Sequence, residues 1–341
     1  MAFVANSLRT LSKLGTLAVH QRTFPVGGVR VLDCVHRGMA SFKKVDLSGV
    51  FPPLPTPFDQ DEKVNHEHLR NNVTKWNEID FRGYVVQGSN GEYTYLSDEE
   101  RVELVRTVKQ AAAPGKLIIA GSGCESTQAT IAMTQKMAEA GADVAMVITP
   151  FYFKGRMTSQ AFKNHYEKVA SASPIPVILY SVPANTGVDL PADVVAALSQ
   201  HPNIIGIKDS AGDVSSWNTL TVVKASVFCP VVEIELYLNT HTVVLVAGAV
   251  GCVAALANTL GNEVCQLHKL CKEGKMDDAM KLQHRLIAPN SAVTRKFGVP
   301  GLKVAMEWFG YYGGPTRSPL LPLTPEEEES MRADFQKNGF L

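Results

Sequence analysis

Short blocks of apolar residues recur about every 30 residues along this chain of 341 residues, and stretches with helical periodicity follow them. Polar residues do not alternate within the blocks, so both faces of each predicted strand should be covered, as in parallel sheets flanked by helices. Repeated strand–helix units favour either a closed (β/α)8 barrel or an open, doubly wound sheet. The predicted strands end at Gly88, Gly121, Pro150, Ser181 and Lys208.

The residues that follow the predicted strands decide between these two architectures. An open nucleotide-binding sheet needs a glycine-rich phosphate loop, and neither GxGxxG nor GxxxxGK[ST] occurs in the sequence. Barrel enzymes instead place their active sites at the carboxyl ends of the strands. The sequence therefore predicts an α/β fold, a (β/α)8 TIM barrel over residues 45–261 with a C-terminal helical region at 262–341. Polar residues lie at these strand ends at Ser89, Asn90, Tyr152, Tyr180, Lys208 and Ser210.

The first 40 residues differ in composition from the rest of the chain. They contain five basic residues, several hydroxyl residues and a single acidic residue, Asp33. An amphipathic, Arg-rich and acid-poor segment is typical of a mitochondrial transit peptide, which we predict to be disordered and to direct the protein to the matrix. A secretory signal needs a longer apolar core, and a disordered tail without targeting function is the remaining alternative. The basic residues are Arg9, Lys13, Arg22, Arg30 and Arg37.

Composition excludes several classes of function for the rest of the chain. The formal net charge is zero, which offers no basic surface for nucleic acid. No apolar run approaches the roughly 20 residues of a membrane span. The six cysteines form no CxxC pair and indicate reduced thiols. The nine histidines form no convincing set of metal ligands, so we expect neither a metal nor another cofactor.

The stretch "PNIIGIKDSAGDV" at 202–214 carries the most specific chemical signal, because an apolar strand ends there on Lys208. A lysine at a strand end commonly extends its aliphatic stem and reaches water. An amine held in an apolar pocket, in contrast, gives up its proton more readily and then attacks carbonyl carbons. In a barrel, Lys208 should face a common cavity with Tyr180, which favours the second interpretation.

Three stretches, "GSNGE", "ILYSVPANTG" and "GIKDS", resemble the signature motifs of the dihydrodipicolinate synthase and N-acetylneuraminate lyase superfamily of Schiff-base aldolases. Within it, "FRGYVVQGSNGE", "AGSGCESTQAT", "LYSVPANTG" and "FGYYGGP" are most similar to the mitochondrial 4-hydroxy-2-oxoglutarate aldolases. The resemblance runs from about residue 44 to the C-terminus. It implies a lyase of hydroxyproline and glyoxylate metabolism that cleaves 4-hydroxy-2-oxoglutarate to pyruvate and glyoxylate without a metal. It also implies a homotetramer built as a dimer of dimers.

The same resemblance implies roles for individual residues. Lys208 matches the lysine that forms the Schiff base, and Tyr180 matches the tyrosine that transfers protons. Ser89 matches a hydroxyl in the proton relay, and Ser89 with Asn90 should bind the C1 carboxylate of a 2-oxo acid. Tyr152 matches a tyrosine that family members contribute across a subunit interface. Taken singly, Tyr180 is an ordinary core aromatic and "GSNGE" an ordinary turn, so it is their joint placement that indicates a site.

Three further positions bear on the choice of substrate and on the wall of the site. Ser210 matches a substrate-contact position of the family. The synthases that use aspartate semialdehyde have an arginine where this chain has Asn185, so the distant carboxylate of that substrate lacks a bidentate partner here. Residues 215–246 depart from the family pattern and lack its Gly-Ser turn, although "VVEIELYL" predicts a seventh strand there.

Two alternatives to the aldolase assignment remain open at this point. One is another 2-oxo-acid lyase or synthase of the same superfamily. The other, kept open by the atypical segment at 215–246, is a catalytically impaired paralogue or variant that binds 2-oxo acids.

Overall fold

The computed structural model describes residues 45–211, 229–233 and 248–341. The predicted transit peptide at 1–40 lies outside these ranges, as does most of the atypical segment at 215–246. Eight strands are present, and each pairs in parallel with its neighbours to form one sheet in the order β1-β8-β7-β6-β5-β4-β3-β2. Their bounds are β1 (Gly49–Phe51), β2 (Gly83–Val86), β3 (Leu117–Gly121), β4 (Val144–Ile148), β5 (Val177–Ser181), β6 (Ile204–Asp209), β7 (Cys229–Glu233) and β8 (Gly251–Val253).

Hydrogen bonds between the first two strands close the sheet into a barrel. The amide of Arg82 donates to the carbonyl of Val50 over 3.0 Å. Just beyond β1, the amide of Leu54 donates to the carbonyl of Val85 over 2.9 Å. Because β1 also pairs with β8, no free edge remains between these strands, and the predicted (β/α)8 barrel is confirmed.

The helices begin where the sequence places capping residues. Asn65 caps the first helix by accepting from the amide of His68, and Ser97 caps the second in a capping box with Glu100. Ser126 accepts from the amide of Ala129 at the start of the third. These caps satisfy backbone amides that the first turn of each helix leaves without a partner inside the helix. The helices of the barrel are α1 (His66–Trp76), α2 (Asp98–Ala111), α3 (Thr127–Glu139), α4 (Ser159–Ala172), α5 (Pro183–Thr186) and α6 (Ala192–Leu198).

After β8 the described chain consists of helices joined by loops and has no further strand up to residue 341, as predicted for 262–341. These helices pack on the barrel through a large apolar cluster that includes Leu267, Leu286, Leu302 and Phe335. Within the described ranges, every helix is too short or too polar to cross a lipid bilayer. The bounds are α7 (Gly261–Lys272), α8 (Met276–Ser291), α9 (Gly298–Trp308) and α10 (Pro325–Lys337), with one π-helical segment at Ala292–Lys296.

The seventh strand is present but starts earlier than its hydrophobic pattern suggested. The sequence placed it in "VVEIELYL", which begins at Val231, whereas β7 spans Cys229–Glu233. Strand pairing explains the difference, since Cys229 pairs with Gly206 of β6 and Val231 with Gly251 of β8. The remainder of that stretch lies outside the described residues.

Candidate active site

Lys208 and Tyr180 come together inside the barrel, on neighbouring strands. The register of β5 and β6 pairs the two residues directly, and Lys208 Nζ lies 3.8 Å from the centroid of the Tyr180 ring. Lys208 is 1% exposed and Tyr180 is 2% exposed. Burial of this extent excludes the interpretation in which a strand-end lysine extends to solvent, and it leaves the amine facing the interior of the barrel.

Alternation along each strand explains why these two side chains point inward. On β5, Ile178 and Tyr180 belong to the apolar cluster that fills the barrel, whereas Val177 and Leu179 belong to the cluster between the sheet and the outer helices. On β6, Ile207 packs outward, so its successor Lys208 faces inward. The uniformly apolar blocks of the sequence are therefore strands whose two faces are covered by different parts of the core.

Ser89 connects Tyr180 to the loop that follows β5. The hydroxyl groups of Ser89 and Tyr180 lie 3.2 Å apart. Asn185 Nδ2 donates to the Ser89 hydroxyl oxygen over 3.3 Å. The structure thus forms a continuous row from Lys208 through Tyr180 and Ser89 to Asn185, which orders an amine, a phenol, a hydroxyl and an amide as a proton-transfer site requires.

Asn90 lies beside this row in a tight turn, Ser89–Gly91, of 3₁₀ type. Its side chain is buried, with the residue 7% exposed, and its Nδ2 group makes no hydrogen bond to any part of the chain that the structure describes. Buried amide groups normally have partners, so this donor is available to an incoming acceptor such as a carboxylate. Thr56 fixes the far side of the turn by donating its hydroxyl to the carbonyl of Gly91 over 2.6 Å.

A cavity of about 290 Å³ opens next to Ser89 and Asn185. Its size suits a small acid rather than an extended cofactor. Tyr93 also lines it, and burial raises the pKa of the Tyr93 phenol to about 12, so the hydroxyl stays protonated and can donate a hydrogen bond. Tyr93 was not among the predicted site residues, and its position directly after "GSNGE" is the only sequence signal for it. The lining residues are Ser89, Tyr93, Thr94, Ile148, Phe151, Asn185 and Thr186.

Two of the predicted site residues, Tyr152 and Ser210, lie outside the row that runs from Lys208 to Asn185. Tyr152 is 73% exposed on the loop after β4, where its ring packs edge-on against Phe153. Glu125 holds that loop by accepting from the amide of Tyr152 over 2.8 Å. Ser210 follows β6 directly, is 2% exposed, and donates its amide to the carbonyl of Ser181 over 2.9 Å. A single chain therefore brings together Lys208, Tyr180 and Ser89, and it does not bring Tyr152 to them.

The possible metal ligands among residues 45–211, 229–233 and 248–341 do not cluster. No three His, Cys, Asp or Glu side chains within those ranges form a group able to hold a metal ion. Cys124, Cys252 and Cys265 in those ranges form no disulfide.

Comparison with known proteins identifies the family to which the chain is similar. Residues 46–338 match the model of the dihydrodipicolinate synthetase family. A 4-hydroxy-tetrahydrodipicolinate synthase of Methanothrix thermoacetophila is 33% identical over 284 residues, which cover 83% of this chain and 94% of that protein. A probable mitochondrial 4-hydroxy-2-oxoglutarate aldolase of Emericella nidulans is 31% identical over 298 residues, covering 86% of this chain and 95% of that protein. The dihydrodipicolinate synthase of Acinetobacter baumannii, solved with pyruvate, is 27% identical with a TM-score of 0.80, covering 86% of this chain and all of that one.

Proposed function

The chain belongs to the dihydrodipicolinate synthetase family of lyases and synthases, and we propose that it is the aldolase that cleaves 4-hydroxy-2-oxoglutarate to pyruvate and glyoxylate. The observation that carries this proposal is the buried Lys208 amine, 3.8 Å from the Tyr180 ring and in line with Ser89. A primary amine is the group that forms a Schiff base with a 2-oxo acid, and the solved relative with bound pyruvate supports that substrate class.

In the first half of the reaction the amine becomes covalently joined to the substrate. The neutral Lys208 nitrogen attacks the C2 ketone, and loss of the former ketone oxygen as water leaves an iminium. Asn90 and Ser89 hold the C1 carboxylate next to the amine, which keeps the carbonyl carbon within reach. The buried Nδ2 donor of Asn90 supports this role.

In the second half the iminium accepts electrons from the bond that breaks. Tyr180 removes the proton from the 4-hydroxyl, and the C3–C4 bond breaks. Glyoxylate leaves as an aldehyde, and the electrons of the broken bond form the C2–C3 double bond of an enamine. The enamine takes up a proton at C3, and water hydrolyses the iminium to release pyruvate and free Lys208. Ser89 passes the proton to and from the phenol, in agreement with the 3.2 Å separation of the two hydroxyls.

Asn185 supports the aldolase over the synthase within this family. The synthase reaction uses aspartate semialdehyde, and the arginine of those enzymes is replaced here by an amide that donates to Ser89. An amide cannot form the bidentate, charge-assisted pair that an arginine makes with a carboxylate. The synthase is the second candidate, because relatives such as the Methanothrix protein bear that name.

A direct assay separates these two activities. Purified protein is supplied with 4-hydroxy-2-oxoglutarate in one experiment, and with pyruvate plus aspartate semialdehyde in the other. We expect equimolar pyruvate and glyoxylate in the first and no condensation in the second. Condensation without cleavage would assign the chain to the synthases, and the Lys208→Arg variant, whose guanidinium stays protonated, should be inactive in both.

We also propose that the protein acts in the mitochondrial matrix and as a homotetramer. The Arg-rich, acid-poor composition of residues 1–40 supports import. The exposed aromatic pair Tyr152 and Phe153 supports association, since adjacent exposed apolar side chains can mark a protein interface. Fluorescent fusions with and without residues 2–40 test the first proposal, and sedimentation equilibrium tests the second.

A further inference from the structure

A fully buried ion pair lies directly behind the turn that carries Ser89 and Asn90. Glu92 ends this turn, and its carboxylate lies 2.6 Å from the Lys303 ammonium of α9. Each of the two side chains is 1% exposed. Among the ion pairs between described residues, no other has both partners buried to this extent. Burying two charges is costly, so the pair needs a role or compensating contacts.

The backbone of Glu92 also adopts a conformation that other contacts must stabilise. Its φ angle is +53°, in the left-handed region that residues with a side chain rarely occupy. Both carboxylate oxygens are engaged, since Oε1 faces Lys303 and Oε2 accepts from the amide of Arg317 over 2.9 Å. Two partners on opposite oxygens hold both the position and the orientation of the side chain, and so they stabilise this backbone conformation.

The partners of Glu92 are themselves fixed by the C-terminal region. Lys303 donates to the carbonyl of Pro315 over 2.8 Å. The Arg317 guanidinium binds both carboxylate oxygens of Glu100 on α2, each over 2.8 Å, and it donates to the carbonyl of Tyr95 over 2.9 Å. The segment at 315–317 thus contacts the chain just after Glu92 at several points. The motif "FGYYGGP" leads into this segment, which gives that motif a structural purpose.

The position of Glu92 is transmitted to the site over a single turn. The amide of Glu92 donates to the carbonyl of Ser89 over 3.0 Å, and the amide of Gly91 donates to that of Gly88 over the same distance. We propose that Glu92 and Lys303 are positioning residues, whose ion pair fixes the turn that presents Ser89 and Asn90 to the carboxylate of a 2-oxo acid. This inference rests on the proposed function, because it assigns the carboxylate contact to that turn.

A test must separate positioning from a general contribution to stability. The readout is the pyruvate concentration that gives half-maximal borohydride trapping on Lys208, measured beside the melting temperature. Lys303→Met leaves the Glu92 carboxylate buried without its cation, while Glu92→Gln combined with Lys303→Met removes both charges. Phe335→Leu is the matched control, since Phe335 is fully buried in α10 against Trp308 and so lowers stability away from the turn.

We expect Lys303→Met to raise the half-maximal pyruvate concentration by about ten-fold or more, with the added mass still on Lys208, because small misplacements of binding groups have effects of this size. The double variant should regain most of the melting temperature but not the affinity, and Phe335→Leu should lose stability alone. Recovery of affinity in the double variant, or an equal loss of affinity in Phe335→Leu, would overturn the inference. If Lys303→Met does not fold, the affinity of the double variant for pyruvate tests the inference instead, because that variant leaves no charge buried without a partner. Absence of trapping in the unmodified protein would overturn the proposed function first, and this inference with it.

Discussion

Lys208 Nζ lies 3.8 Å from the centre of the Tyr180 ring, because the two residues are paired across β5 and β6 and both side chains enter the barrel. This pairing puts an amine and a phenol in one buried space before any substrate arrives. Ser89 extends the arrangement through its hydroxyl, 3.2 Å from that of Tyr180. The function proposed here depends on these three side chains more than on any other feature of the molecule.

Removal of the Tyr180 hydroxyl separates proton transfer from formation of the Schiff base. In Tyr180→Phe the ring still packs beside Lys208, but no group at that position accepts a proton, so kcat should fall by about 100-fold or more. Pyruvate should still be trapped on Lys208, although slowly. Tyr166→Phe is the matched control, since it removes a buried hydroxyl that bonds the carbonyl of Val147 outside the site. Equal turnover in the two variants would show that Tyr180 is only a core residue.

Asn185→Arg should change the choice of substrate. The guanidinium supplies the bidentate carboxylate partner that the chain lacks, so kcat/KM for condensation of pyruvate with aspartate semialdehyde should rise relative to cleavage of 4-hydroxy-2-oxoglutarate. Asn185→Leu is similar in volume but cannot pair with a carboxylate, and it serves as the control. If the two variants show the same ratio of activities, this position does not select the substrate.

Tyr152 should act in the site of a neighbouring subunit, because it is 73% exposed in a single chain. Lys208→Arg and Tyr152→Phe should each be strongly impaired as pure proteins. Mixed after dissociation and reassociation, they should regain about a quarter of normal activity, since half of random pairs are mixed and each mixed pair holds one intact site. Mixed oligomers that stay inactive would contradict a shared site.

Stability should depend on pH through a buried histidine. Burial lowers the pKa of His165 to about 4, from a usual value of about 6.5. The unfolded chain therefore binds the proton first, and the free energy of unfolding falls as the pH drops below about 6.5, by about 3 kcal/mol once pH 4 is reached. His165→Gln should reduce this loss when urea titrations at pH 7 and pH 4 are compared. Burial also lowers the pKa of His268 to about 4, so the His165→Gln variant should still lose some stability as the pH falls.

Local signals explain why much of the fold was predictable from the sequence. The start of α2 follows from Ser97 and Glu100, which satisfy each other's backbone amides within four residues. The apolar runs of β5 and β6 predicted covered strands, and the polar residues at their ends predicted the site. These features depend on residues close together in the chain, so a single sequence displays them.

Contacts between distant parts of the chain explain what could not be predicted. Glu92 and Lys303 form their ion pair through the tertiary fold, and no pattern around either residue marks it as buried. The start of β7 depends on its pairing with β6 and β8 rather than on its own alternation. Tyr93 lines the cavity because of how the turn after β2 folds, and its neighbours in sequence do not reveal that.

Borohydride reduction in the presence of pyruvate, followed by peptide mass mapping, tests the central claim most directly. The account predicts a stable added mass on the peptide that contains Lys208 and none in the Lys208→Arg variant. Lys303 is an internal control, because it is equally buried at 1% exposure but lies on α9 rather than on a barrel strand, and it should stay unmodified. An added mass on another lysine, or no added mass in protein that cleaves 4-hydroxy-2-oxoglutarate, would contradict the account.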